Sequence, residues 1–186
     1  MGTELQPAQS PESPPTGLNF YRHHPRVVLL LFLAPTFYEI WWYWQLFAFT
    51  RREHFPRARR FWWILVPFYG WVVLYRQFDD IKQAAVRTGA AAFNSRTAIT
   101  LLILSWWAGA SSNRISNVYV SLVLFVASGV FIAGVGYLVQ PAANAYLKSK
   151  YPEAPMKGMT WGEITATVLG MFLFSLVLLG TFLPSA

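Results

Sequence analysis

Five long apolar stretches, separated by short polar connections, dominate the chain. They cover residues 27–50, 61–75, 97–113, 118–140 and 163–183. The last two contain no charged residue apart from Glu163 at the start of the fifth, and each has the length of about 20 residues that a membrane-spanning helix needs. The pattern predicts an all-α fold, a small polytopic membrane protein with three to five transmembrane helices.

The first two apolar stretches differ from the others because prolines break them and aromatic residues crowd them. Pro35 and Pro67 each remove a backbone hydrogen bond within an otherwise helical pattern. Glu39 lies near the centre of the first stretch, where a carboxylate in a spanning helix costs about 2–3 kcal/mol. We therefore expect a bend at Pro35, with residues 37–49 tilted towards the membrane surface. The alternative is that both stretches cross, which leaves Glu39 at membrane depth.

The segment after the second stretch has a helical period. Its apolar stripe consists of Trp71, Leu74, Phe78, Ile81 and Ala85. Arg76 and Asp80, four positions apart, are expected to pair on the polar side. This pattern predicts an amphipathic helix at the membrane interface. The segment that follows Gln140 is expected to form a separate short surface helix and then a polar loop.

Small residues at helical spacing indicate where helices pack closely. Gly129, Ala133 and Gly136 share one face of the fourth stretch, and Ala166 and Gly170 are four apart in the fifth. Such residues let helix backbones approach each other in membranes.

Composition and charge support a membrane location. The chain of 186 residues is 55% hydrophobic and 12% charged, about half the charged fraction of an ordinary soluble domain. It has no cysteine, which excludes disulfides, thiolate metal sites and cysteine nucleophiles. Its net charge is +7, but the basic residues flank apolar stretches, which favours anionic lipid headgroups over nucleic acid as the partner.

The distribution of the 15 Lys and Arg residues depends on which stretches cross. If all five cross, the two sides carry nine and six. If the first two enter and return to the same side, the sides carry fourteen and one, and if only the first crosses, twelve and three. The positive-inside rule favours the last two arrangements. Residues 1–20, with four prolines among polar residues, are predicted to be a disordered tail, and residues 21–186 a single membrane domain.

Two parts of the chain resemble a family of bacterial membrane proteins called domain of unknown function, number 4234. The first part is PTFYEIWWYWQLFAF with the aromatic segment after it, and the second is VQPAANAYLKSKYP. The residues that carry the match are Thr36, Tyr38, Glu39, Trp42 and Tyr43 in the first and Gln140 and Asn144 in the second. The resemblance covers residues 27–183, with Phe37 where many relatives have glycine. It implies a helical fold in the bacterial cytoplasmic (inner) membrane and no known activity.

Two clusters are candidates for function. Glu39, with Tyr38, Trp42 and Tyr43 around it, is the first, because intramembrane acids often serve ion or proton pathways. Its alternative role is structural, as a carboxylate bonded to nearby tyrosine, tryptophan or backbone donors. The second is the basic segment RREHFPRARR, predicted to contact anionic lipid or to anchor the topology. Its arginines are Arg51, Arg52, Arg57, Arg59 and Arg60.

Other chemistry is not indicated. His23, His24 and His54 have no ligand set nearby, and Glu163, three residues after Thr160, is expected to serve only as a helix cap. Phosphate loops and catalytic motifs are absent from the sequence, so we predict no cofactor and no enzyme activity. The predicted role is a scaffold or a subunit that interacts with lipid, with a second copy of the chain or with another membrane protein. The alternative is a small transporter or channel component, which requires that Glu39 line a polar cavity.

Overall fold

The chain folds into α-helices. The computed structural model describes residues 19–34, 36–66 and 68–182, and these contain no strand. The helices are α1 (His24–Leu33), α2 (Phe37–Arg52), α3 (Tyr69–Arg87), α4 (Ser95–Ser112), α5 (Val118–Lys150) and α6 (Trp161–Phe182), with a 3-10 helix (Phe61–Leu65) before α3. The predicted all-α class is confirmed.

The first apolar stretch is two helices that form a hairpin. α1 runs antiparallel to α5, because Arg22 bonds to Asn144 while Phe32 lies against Gly129. It ends at Leu33, where the proline at position 35 disfavours further helix. The chain therefore reverses direction about a third of the way along α5 from its N-terminal end.

α2 then returns along α6 to the end of the bundle where α1 began. Ala34 lies beside Gly170, whereas Trp41 lies beside Gly162, so α2 and α6 are antiparallel. Thr36 in the turn has a φ of 74°, a left-handed conformation that disfavours residues with a Cβ. This helical hairpin places both of its ends at the same end of the molecule.

The second apolar stretch forms a similar reversal. The 3-10 helix leads to Phe68, which has a φ of 59°, and α3 then runs back and packs against α4 and α5. Trp71 near the start of α3 packs against Trp106 of α4, with ring centroids 5.6 Å apart. Gln77, further along α3, accepts a hydrogen bond of 2.7 Å from Thr50 near the end of α2.

The remaining helices, α4, α5 and α6, extend past the turns of the two hairpins. Ser105 bonds to Ser128 and Ser121 bonds to Ser112, so α4 and α5 are antiparallel neighbours. α5 has 33 residues, about 50 Å of helix. By length and hydropathy, α5 is the one helix within the described ranges that meets the requirement for crossing a membrane. α1 and residues 161–177 of α6 are apolar but shorter.

The centre of the molecule is aromatic. Tyr38, Trp42 and Phe47 of α2 are fully buried, although the sequence analysis expected this segment to lie tilted at the membrane surface. Phe20 stacks on Phe49 with ring centroids 5.2 Å apart. Phe20 is thus part of the core and not of the predicted tail. Asn19 is also described, and residues 1–18 of the predicted tail lie outside the described residues.

The segment after Gln140 forms the expected helix and then the expected loop, but the helix is the last part of α5 and is partly buried. α5 continues through Pro141 to Lys150, because Ala142, Ala143 and Leu147 are buried against the rest of the bundle. Tertiary packing here outweighs the backbone hydrogen bond that proline removes.

The amphipathic stripe of α3 packs as predicted, with Leu74, Phe78, Ile81 and Ala85 buried. On its polar side, Asp80 pairs with Arg57 of the preceding loop and not with Arg76.

Candidate functional site

Glu39, in the first turn of α2, lies between two cavities. The larger, about 550 Å³, is enclosed by α2, the 3-10 helix, α3 and α4, with Ser128 of α5 at its edge. The smaller, about 290 Å³, lies between α2, α4, α5 and α6. Ser128, which lines both cavities with Glu39, is ten residues into α5, about 15 Å along its axis.

The larger cavity has mainly apolar and aromatic walls. Phe68, Trp71 and Trp106 contribute rings, and Ser105 and Ser128 contribute hydroxyl groups. Glu39 is the one acid in its lining, and no Lys, Arg or His is among the described residues that line it. The site therefore presents a single negative charge in a pocket of aromatic rings.

Tyr43, one turn further along α2, lines the larger cavity together with Glu39. The buried Tyr43 hydroxyl meets hydrogen-bond geometry with none of the described groups. Tyr43 therefore does not satisfy the Glu39 carboxylate with a well-formed hydrogen bond. Tyr38 and Trp42, predicted to belong to the same cluster, point away from it into the core, where they bond to other partners.

The smaller cavity continues from Glu39 towards the connection between α4 and α5. Thr36, Ser112 and Asn113 line its far part. Polar groups thus line the space between Glu39 and the end of the bundle opposite the arginine-rich loop.

A buried ion pair joins the segment before α1 to α6. The Arg22 guanidinium bonds to the Glu163 carboxylate, and both side chains are almost fully buried. Tyr38 donates a hydrogen bond of 3.2 Å to the same carboxylate. Burial lowers the pKa of Arg22 below its ordinary value, and the negative charge of Glu163 opposes that shift. We call this group the Arg22–Glu163 clasp.

Thr160 caps α6 as predicted, because its hydroxyl accepts a hydrogen bond of 3.3 Å from the Glu163 backbone N–H. The expectation that Glu163 serves only as a helix cap is wrong, since its carboxylate is the centre of the clasp. A signal was present in the sequence. Glu163 is an acid at the head of an apolar helix, and its charge requires a partner when that helix end is buried.

A second polar group extends the clasp across α5. Trp42 donates from its indole nitrogen to Gln140 at 3.0 Å, and Gln140 donates to the Phe20 carbonyl at 2.8 Å. Asn144 donates to the Arg22 carbonyl at 2.6 Å. The two parts of the sequence on which the family resemblance rests, around Trp42 and around Gln140, are therefore in contact.

The five arginines predicted to contact lipid separate into groups. Arg51, Arg52 and Arg60 line a third cavity near the end of α2. Arg57 instead bonds to Asp79 and Asp80, and the positive charge and hydrogen bond of Arg57 hold the pKa of Asp79 below its ordinary value.

Arg59, the fifth arginine of the segment, is exposed outside the third cavity.

The small residues singled out in the sequence lie at helix contacts or in the core. Gly129 and Gly136 both face α1, and Gly170 faces the turn that follows it. Ala133 and Ala166 are buried. α1 thus approaches α5 closely, and the turn after α1 approaches α6 closely.

Comparisons with family models, with curated proteins and with solved structures find no match to this chain. The resemblance to the family of domain of unknown function 4234 stays a prediction. Among the described residues, no three His, Asp, Glu or Cys side chains form a group that could hold a metal ion.

Proposed function

We propose that this chain is a polytopic membrane protein that binds a small hydrophobic organic cation in the larger cavity, with Glu39 as its counter-charge. In this arrangement α4, α5 and α6 cross the bilayer, while the α1–α2 hairpin and the reversal at Phe68 enter it and return. This topology gives the distribution of fourteen basic residues against one, with the arginine-rich end at the cytoplasmic side of a bacterial inner membrane.

The observation that carries the proposal is the unpaired charge of Glu39. A carboxylate at this depth is costly unless a basic group or a ligand balances it. No basic side chain among the described residues lines either of its cavities. The cavity of about 550 Å³ has the volume of a small-molecule site.

The walls favour an organic cation over a hydrated metal ion. Trp71 and Trp106 present indole rings, which attract cations over their faces. A hydrated metal ion would need several oxygen ligands, and Glu39 is the one carboxylate in the lining. A lipophilic cation needs one negative charge and apolar contacts, which is what this cavity offers.

The direct test is binding of tetraphenylphosphonium to the full chain in lipid nanodiscs, followed by calorimetry and by quenching of tryptophan fluorescence. Glu39→Gln should weaken binding by about tenfold or more, because it removes the counter-charge. Wild-type binding should weaken as the pH falls, since protons compete for the carboxylate.

The matched control is Glu153→Gln, the same chemical change at an exposed loop residue. It should bind like the wild type. Thermal unfolding of each variant shows whether it is folded. If a folded Glu39→Gln binds tetraphenylphosphonium as tightly as the wild type, Glu39 is not the counter-charge and the proposal fails.

The scaffold or lipid-interacting role predicted from the sequence is the second candidate. Its support is the broad belt of exposed aromatic side chains, including Trp62, Trp106 and Trp107, which suits contact with lipid or with a partner helix. A chain with only this role would bind no cation at Glu39, and tetraphenylphosphonium binding would be absent.

A further inference from the structure

The third cavity lies outside the proposed cation site and has the opposite charge. It occupies about 490 Å³ between the end of α2 and the 3-10 helix. Arg51, Arg52 and Arg60 line it, together with His54, and no Asp or Glu is among its lining residues. Such a concentration of guanidinium groups around a cavity suits a phosphate, which arginine binds through paired hydrogen bonds.

Three acids at this end of the molecule are already bound to other groups. Glu53 bonds to Lys150 at 2.6 Å and accepts a hydrogen bond of 2.8 Å from Tyr146. Asp79 and Asp80 are bound by Arg57. Arg51 and Arg60, in contrast, have no ion pair within the described residues.

The backbone at the rim of this cavity is strained. His54 has a φ of 54°, in the left-handed region where glycine is the usual residue at a helix end. The Phe55 N–H bonds to the Thr50 carbonyl at 3.0 Å, as in a Schellman motif. A histidine in this position costs about 1 kcal/mol or more relative to an unstrained residue. At this cost the chain has an imidazole beside the arginines, where a glycine would have no side chain.

The cavity is also apolar on one side. Trp44 and Trp62 line it with indole rings that meet edge to face, 6.3 Å apart. Both remain about half exposed, so an apolar chain can lie against them. Charged groups on one side and tryptophan rings on the other match an amphiphile whose head is anionic.

We propose that this cavity binds the phosphate headgroup of an anionic membrane lipid. Arg51 and Arg60 hold the phosphate, Arg52 and His54 complete the polar side, and the first carbons of the acyl chains pack on Trp44 and Trp62. A free phosphate ion would share the arginine contacts but would leave the tryptophan surface uncovered. The site thus gives a structural basis for a lipid dependence separate from the Glu39 cavity.

The test is native mass spectrometry of the full chain released from nanodiscs that contain phosphatidylglycerol and phosphatidylcholine in equal amounts. We expect the wild type to retain phosphatidylglycerol preferentially. In the double variant Arg51→Gln/Arg60→Gln, the ratio of retained phosphatidylglycerol to phosphatidylcholine should fall by about tenfold. Arg59→Gln, which removes an exposed arginine outside the cavity, should retain it.

Two outcomes would overturn the proposal. The single variants Arg51→Gln and Arg60→Gln are measured as well. If Arg59→Gln lowers the phosphatidylglycerol preference as much as either of them, the effect is one of general surface charge. A second arm adds inorganic phosphate to protein in phosphatidylcholine nanodiscs. The same phosphate is added to the mixed nanodiscs of the first arm. If phosphate raises the unfolding temperature of the wild type in phosphatidylcholine and displaces phosphatidylglycerol in the mixed nanodiscs, the ligand is a free anion and not a lipid. Equal unfolding temperatures among the variants without added ligand show that each is folded.

Discussion

Replacement of Glu163 by glutamine tests whether the Arg22–Glu163 clasp holds the fold together. Glutamine keeps the volume of the side chain, but it leaves the Arg22 guanidinium without its counter-charge at a site where Arg22 is 1% exposed and Glu163 0% exposed. Breaking a buried ion pair by removing one partner costs about 3–5 kcal/mol.

The cost should fall at the lower end of that range. Arg22 keeps hydrogen bonds to the carbonyls of Asn19 at 2.9 Å and of Gly158 at 3.4 Å, which still stabilise its charge. We therefore expect Glu163→Gln to lower the free energy of unfolding by about 3 kcal/mol, a change of about two orders of magnitude in the folding equilibrium.

The assay is unfolding in mixed micelles by increasing sodium dodecyl sulfate, followed by tryptophan fluorescence. The control Glu153→Gln should lie within about 0.5 kcal/mol of the wild type, because Glu153 is exposed. The double variant Arg22→Met/Glu163→Gln should be more stable than the sum of the single changes predicts, since neither Arg22 nor Glu163 is then left as a lone buried charge. Arg26, which lies 3.4 Å from Glu163 in the wild type, is 22% exposed and is solvated in the double variant. A cost below about 1 kcal/mol for Glu163→Gln, or full additivity of the two changes, would refute the clasp.

Three further predictions concern packing, backbone strain and pH. Gly170→Ala should destabilise the fold by about 1–3 kcal/mol, because a Cβ there would lie 2.9 Å from a carbonyl oxygen in the turn after α1. The control Gly158→Ala places its Cβ in open space and should not destabilise the fold, and chemical unfolding compares the two variants. His54→Gly should raise the unfolding temperature, because glycine adopts the positive φ at this position without strain. A lower unfolding temperature would show that His54 is not strained. The lowered pKa of Asp79 means that its contribution to stability is present above its ordinary pKa of 3.8 and is lost as the pH falls below it. Unfolding measured against pH should show this loss in the wild type and less of it in Asp79→Asn.

The sequence predicts those elements whose cause is local. α4, α5 and α6 follow from unbroken apolar stretches, and the stripe from Leu74 to Ala85 follows from helical period. The reversals near positions 35 and 67 follow from proline chemistry. Each of these features depends on residues within a few turns of each other.

The candidate sites depend on distant contacts, which no local pattern contains. Arg22 and Glu163 are 141 positions apart, and Trp42 and Gln140 are 98 apart. The aromatic sequence pattern of α2 is equally compatible with the membrane interface and with a protein core. Only packing against α5 and α6 makes Trp42 a core residue. For the same reason the charge of Glu39 could be noticed in the sequence, but its cavity could not.

The α1–α2 hairpin also constrains the order in which the chain assembles. A ribosome produces the hairpin before α5 and α6, the helices against which it packs. Until Glu163 has been synthesised, the guanidinium of Arg22 has no carboxylate to meet, and the loop that this contact closes is among the longest the chain can form. The N-terminal segment must therefore wait through the production of about 140 further residues. Docking of the hairpin is expected as one of the last steps of biosynthesis, after α6 has emerged.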